Sequence, residues 1–82
     1  MRFHFQIEGE LNAEEADLPS VSAAKCQALR YASKVVCDEP QKFWESGGFQ
    51  MTVSDETGLT LFALVMSGIE APSIQLTQRV PT

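Results

Sequence analysis

Two strands joined by a tight turn are predicted by the run Met51-Thr52-Val53-Ser54-Asp55-Glu56-Thr57-Gly58-Leu59-Thr60-Leu61-Phe62. Apolar and polar residues alternate from 49 to 54, which is the pattern of a half-buried strand. The next four residues, Asp55–Gly58, form a turn in which Gly58 suits the left-handed position. The strand that follows, Leu59–Met66, is apolar on both faces, so we expect it to be central and covered on both sides.

Upstream of this hairpin, the sequence predicts one strand and one main helix. Alternation over Arg2–Glu8 predicts a half-buried strand. Ser20 is a suitable N-cap for a helix over about 20–37, whose apolar residues gather on one stripe at 100° per residue. We interpret the acidic stretch Gly9–Asp17 between them as a loop, with a short return strand at Glu10–Asn12. After the helix, residues 41–46 hold Phe43 and Trp44 in one helical turn.

These elements predict an α+β fold, a small two-layer β-α-β-β arrangement in one domain of residues 1–82. A right-handed crossover makes the first and second strands parallel. If the doubly apolar third strand lies between them, the order is 1-3-2, and the helix packs on a three-stranded mixed sheet as in a split β-α-β unit. The tail, residues 68–82, contains a β-competent segment at 74–78 and is expected to form an extra strand or an arm.

The net charge of −5 weighs against direct binding to nucleic acid or to anionic membranes, because such binding needs Lys and Arg to neutralise phosphate. Five acidic residues without a base lie in one ten-residue segment: Glu8, Glu10, Glu14, Glu15 and Asp17. This segment is either a solvated loop that keeps the protein soluble or a surface that docks on a basic partner. No stretch reaches the roughly 20 apolar residues of a membrane span, and the N-terminus lacks the pattern of a signal peptide, so we expect a cytoplasmic protein.

The two cysteines, Cys26 and Cys37, are eleven residues apart on the predicted helix. They are therefore about 16 Å apart along its axis, too far for a mutual disulfide or a shared zinc ion. Eleven residues are close to three turns, which places both thiols on the face opposite the apolar stripe, beside Arg30. They are either small hydrophobic residues beneath a covering element, or accessible thiols that form intermolecular disulfides or sense oxidation.

No catalytic, cofactor-binding or metal site is predicted, and we do not expect an enzyme. His4 is the only histidine, and no nucleophile-elbow glycine pattern accompanies it. The adjacent carboxylates Asp55 and Glu56 resemble an acid/base pair, but an aspartate at the start of such a turn caps the amides of the turn. Neither a phosphate-binding glycine loop nor a dinucleotide fingerprint is present.

Several stretches together resemble a family of short bacterial proteins that is catalogued only as a domain of unknown function. The likeness covers roughly residues 1–74, and its sharpest part is the Val53–Phe62 segment with Phe43-Trp44 upstream. The resemblance implies a small α/β cytoplasmic protein and carries over no catalytic residue, cofactor or ligand. The other stretches that carry it are Leu18-Pro19, Ala24-Lys25-Cys26, Cys37-Asp38 and Glu70-Ala71-Pro72.

We therefore expect a non-catalytic protein that acts through contact with another protein or with itself, as a homodimer. Phe62 and Leu64, on the second apolar face of the third strand, are candidate contact residues. The first alternative is an acidic stoichiometric inhibitor of a nucleic-acid-binding protein, which would use Glu10, Glu14, Glu15 and Asp17. The second alternative is a small redox or ligand sensor that uses the two cysteines.

Overall fold

A computed structural model describes residues 1–72 of the chain. Within this range the fold is α+β, with a four-stranded antiparallel sheet in the order β2-β1-β3-β4 and two helices. The elements, in chain order, are β1 Arg2–Ile7, β2 Glu14–Asp17, α1 Val21–Asp38, α2 Pro40–Ser46, β3 Gly48–Asp55 and β4 Thr60–Ser67.

The prediction of a three-stranded mixed sheet with one main helix was wrong, because the chain reverses before it enters the helix. The return strand forms at Glu14–Asp17 rather than at Glu10–Asn12, and it pairs antiparallel with β1. From the end of β2, α1 carries the chain back to the end of the sheet where β1 finishes. β3 therefore starts beside β1 and runs antiparallel to it, with Ile7 opposite Met51. The helical crossover joins β2 to β3, which run in the same direction on either side of β1.

The hairpin is confirmed, but its second strand is an edge strand and not a central one. Among residues 1–72, β4 pairs with β3 alone, and β1 occupies the other side of β3. A bulge between Val53 and Ser54 of β3 sets Phe62 opposite Val53 and Thr60 opposite Ser54. Leu61 is the extra residue, and it packs against the core although it breaks the alternation. The apolar character of both faces of β4 thus arises partly from this bulge.

The core lies between α1 and one face of the sheet, where small residues on the helix meet large ones on the strands. Three alanines at intervals of four residues, Ala24, Ala28 and Ala32, are at most 1% exposed. They bring the helix close to the sheet, whose buried side chains at this interface are Phe3, Phe5, Ile7, Met51 and Val53. The helix itself agrees with prediction, since Ser20 is the N-cap and its hydroxyl accepts a hydrogen bond from the Ala23 amide at 3.1 Å.

Helix α2 ends at Gly47 in the left-handed conformation, with φ of 78°. Its Phe43 and Trp44 rings pack edge to face with centroids 5.3 Å apart. Gly68, just after β4, donates its amide to the Gly47 carbonyl and lies under these rings. A Cβ there would lie 2.5 Å from the Trp44 ring, so only glycine fits this approach without a shift of the aromatics. The predicted strand or arm at 74–78 lies outside the described residues.

Candidate functional site

The two edges of the sheet differ in length and in charge. β2 has four residues, three of them acidic, whereas β4 has eight residues, none of them charged. Natural sheets protect their edges from further pairing by making them short or charged. β2 is therefore a protected edge, and β4 is an edge without that protection within residues 1–72.

The backbone groups that β4 directs outward follow from the ladder of β3. Gln50 accepts a hydrogen bond from the Glu8 amide, so Gln50 and its alternate neighbours direct their polar groups toward β1. Met51 therefore directs its amide and carbonyl toward β4, where it faces Leu64. By the same alternation, the polar backbone groups that point away from the sheet belong to Ala63, Val65 and Ser67.

An apolar groove of about 340 Å³ runs beside this edge, between α1 and β4. The predicted contact residues Phe62 and Leu64 line it and are half-buried, because both pack against the core. Leu29 on the helix side is 56% exposed. The Lys25 ammonium lies 5.9 Å from the centre of the Phe62 ring, at the distance of a cation–π contact. The groove exists because α1 centres on β1 and β3 and leaves the apolar side of β4 half-covered.

Sequence analysis missed the outer edge of β4 itself, including Ala63 and Val65, because it placed this strand inside the sheet. One sequence pattern could have indicated this edge, because the chain carries no charged residue from Leu59 to Ile69. Such a run fits a covered central strand as well as an unprotected edge.

The predicted acidic contact residues do not form one surface, because the alternation of β2 divides them between the two faces of the sheet. Glu15 and Asp17 lie on the open face, where the Arg2 guanidinium donates to Glu15 at 3.1 Å and to Asp17 at 3.2 Å. His4, opposite Glu15 in the ladder, has its Nδ1 3.4 Å from the Glu15 carboxylate. Two of the acids are thus engaged by cationic or polar neighbours of the same sheet.

The remaining acids of this segment lie near α1 or in the β1–β2 loop. Glu14 stands opposite Phe5 in the ladder and lines a depression beside Tyr31. Burial raises the pKa of Tyr31, and the negative charges of Glu14 and Glu10 raise it further. The carbonyl of Glu10 accepts a hydrogen bond from the Gln6 amide group at 2.6 Å, so the side chain of a β1 residue tethers the start of the loop.

Within residues 1–72, Cys26 and Cys37 are both exposed on α1, so neither is covered by a described element. Their cover by the tail or by a second subunit stays a prediction. Both lie on one continuous helix, which keeps them about 16 Å apart along its axis. Their use as reactive thiols stays a prediction.

Asp55 has the structural role in the turn that the sequence indicated. Its Oδ1 accepts hydrogen bonds from the Thr57 hydroxyl at 2.6 Å, the Thr57 amide at 2.9 Å and the Leu59 amide at 3.0 Å. The hydrogen bond from the Thr57 side chain, helped by backbone amides of the turn, lowers the pKa of Asp55. The carboxylate is therefore occupied in holding the β3–β4 hairpin.

Neither helix within residues 1–72 has the length and apolarity to cross a membrane. In the same range, no three histidine, cysteine, aspartate or glutamate side chains come together in a way that would hold a metal ion.

Comparison with known proteins places the chain in a family. The model of a domain of unknown function, DUF6894, matches residues 2–67. This range begins at β1 and ends at β4, so it contains every strand and helix defined above. Neither the curated proteins nor the solved structures gave a match. The chain belongs to the DUF6894 family of domains of unknown function.

Proposed function

We propose that the protein is a non-catalytic interaction domain that receives a β-strand from another protein molecule at the outer edge of β4. The observation that carries the proposal is an uncharged edge strand of eight residues beside an apolar groove. An added strand would form hydrogen bonds with the outward backbone groups of Ala63 and Val65, and its side chains on the helix side would enter the groove. This mode of recognition takes affinity from the main chain and specificity from the pocket beside it.

The distribution of exposed hydrophobic residues supports this location. Within residues 1–72, seven large hydrophobic residues are exposed, and four of them lie on β4, at its two ends or in the groove beside it: Leu29, Leu59, Val65 and Ile69. Single exposed hydrophobic residues are ordinary, whereas a group around one edge is typical of a contact surface.

The proposal includes a cytoplasmic site of action. Two exposed thiols on one helix that cannot reach each other fit a reducing compartment, because an oxidising one would favour intermolecular disulfides.

Site-specific photo-cross-linking in living cells tests the proposal. A benzophenone amino acid replaces Val65, which is 67% exposed on the open face of β4. The matched control carries the same amino acid at Glu14, an exposed residue of the opposite edge strand. We expect a covalent adduct with a protein molecule from position 65 and none from position 14.

The Ala63→Pro substitution in the Val65 cross-linking variant makes the test specific for strand addition. Proline at 63 removes an amide that points away from the sheet, so the β3–β4 ladder keeps its hydrogen bonds while the edge loses a donor. The adduct should disappear, and the circular dichroism spectrum should stay unchanged. An adduct that persists with Ala63→Pro, or no adduct from position 65, would refute the proposed function.

A further inference from the structure

We infer that the strand received at this edge is β4 of a second copy of the chain, paired antiparallel about a two-fold axis at Leu64. This inference rests on the proposed function and names the partner at the same edge. The two sheets would join into one continuous sheet of eight strands, with both α1 helices on the same side. Such a contact uses the same surface on both molecules, as a two-fold symmetric dimer requires.

The sheet geometry and the side chains on the helix side together favour Leu64 as the centre. A continuous sheet with both helices on one side needs the axis to pass through a residue, because directly opposed residues share a face. With the axis at Leu64, Ala63 of one copy faces Val65 of the second copy, and both direct their backbone groups into the new ladder. In this register the two Ala63–Val65 pairs form about four hydrogen bonds across the new ladder.

The side chains in this register are self-complementary. On the helix side, Leu64 meets Leu64 of the second copy, and Phe62 meets Met66 of the second copy, a pair that allows a sulfur–aromatic contact. Leu59 and Ile69, which are 63% and 90% exposed, flank opposite ends of β4. Antiparallel pairing brings Leu59 of one copy to the end of the interface where Ile69 of the second copy lies.

Charge also favours a second copy at this edge over one elsewhere on the surface. The chain has a net charge of −5, so close contact between two copies is opposed by repulsion except where the surface is neutral. No charged residue occurs from Leu59 to Ile69, Lys25 is the charged residue among those that line the groove, and the acids of β2 lie at the far edge of the sheet. Seven strand spacings would separate the two β2 strands, about 34 Å, which is several Debye lengths at physiological salt.

Cysteine cross-linking tests both the partner and the register. In a background with Cys26→Ser and Cys37→Ser, the Leu64→Cys variant places two thiols in a non-hydrogen-bonded pair with Cα atoms about 4.5 Å apart, within reach of a disulfide. The matched control is Ala63→Cys in the same background. Its two thiols are displaced by two residues along the strands, so their Cα atoms are about 8 Å apart, beyond that reach.

We expect mild oxidation to convert most of the Leu64→Cys protein into a disulfide dimer and to leave Ala63→Cys monomeric on a non-reducing gel. Adding Ala63→Pro to Leu64→Cys should abolish the dimer. Because Leu64 is half-buried, a second variant guards against misfolding: the double variant Ala63→Cys and Val65→Cys changes only exposed side chains and should also form dimers. The cysteine-free parent should sediment as a dimer at micromolar concentration.

Three results would overturn the inference, and they identify what is wrong. Dimers from Ala63→Cys alone would show a different register. A monomeric parent whose position 65 cross-links to a different protein in cells would keep the proposed function and exclude the second copy. A monomeric parent with slow hydrogen exchange at the Ala63 and Val65 amides would show that residues 73–82 cover the edge within one molecule, which would exclude both proposals.

Discussion

Replacing Ala32 with leucine probes the close packing of α1 on the sheet. Ala32 is fully buried, and the strand residues of the same core include the large side chains of Phe5 and Met51. Leucine adds three carbon atoms at a fully buried position between the helix and the sheet, so we expect the helix to shift or the new side chain to leave its preferred rotamer. Overpacking of this kind costs about 1–3 kcal/mol of the free energy of unfolding.

The cost is large for a chain of this size. An 82-residue domain has a total stability of about 4–12 kcal/mol. A loss of about 2 kcal/mol lowers the melting temperature by roughly 8–16 °C. Thermal unfolding followed by circular dichroism, at one fixed protein concentration because dimerisation contributes to stability, measures the change.

The matched control is Ser33→Leu, which adds a similar side chain at the neighbouring, exposed position of the same helix. It should be neutral or slightly stabilising, because leucine has the higher helix propensity. A loss of 0.5 kcal/mol in the free energy of unfolding would lower the melting temperature by about 2–4 °C. If Ala32→Leu melted within about 2 °C of the parent, the alanine stripe would not be closely packed and the geometry of the core would be refuted.

Three further outcomes are expected. Ser20→Ala should lose about 1 kcal/mol in the free energy of unfolding, because an amide of the first turn loses its acceptor. The control Ser22→Ala, at an exposed position, should change the stability little, and equal effects of the two substitutions would contradict the N-cap. The pKa of Asp55 is lowered in the folded state, so its contribution to stability is complete above the unfolded value of 3.8 and disappears as the pH falls through the folded value. Urea titrations from pH 6 to pH 2 should therefore show a smaller loss of stability for Asp55→Asn than for the parent. Identical pH profiles for the two proteins would contradict a stabilising role of the Asp55 carboxylate. Both Cys26 and Cys37 should react with a thiol reagent in the native protein as fast as in urea, and slow labelling would mean that residues 73–82 or a second molecule cover them.

Elements with local sequence patterns could be predicted without the structure. Ser20 and the stripe of small apolar residues define α1 because capping and helical periodicity involve only neighbours within a few turns. The Asp55–Gly58 turn and its flanking alternation define the β3–β4 hairpin for the same reason. The face that carries the cysteines also follows from helical geometry, although their exposure depends on what packs against it.

The order of the strands, in contrast, depends on long-range pairing that no single segment encodes. Glu14–Asp17 has little intrinsic preference for a strand, yet it pairs with β1 through the backbone ladder, and Ala16 and Leu18 pack against the core. Arg2, opposite Asp17, adds ion pairs to the Glu15 and Asp17 carboxylates. That pairing turns the chain before α1, makes β1 antiparallel to β3 and leaves β4 at the edge. An apolar run such as Leu59–Met66 fits a central strand and an unprotected edge equally well, since strand order is set by long-range pairing and not by the residues of one strand. The candidate site is a consequence of that order.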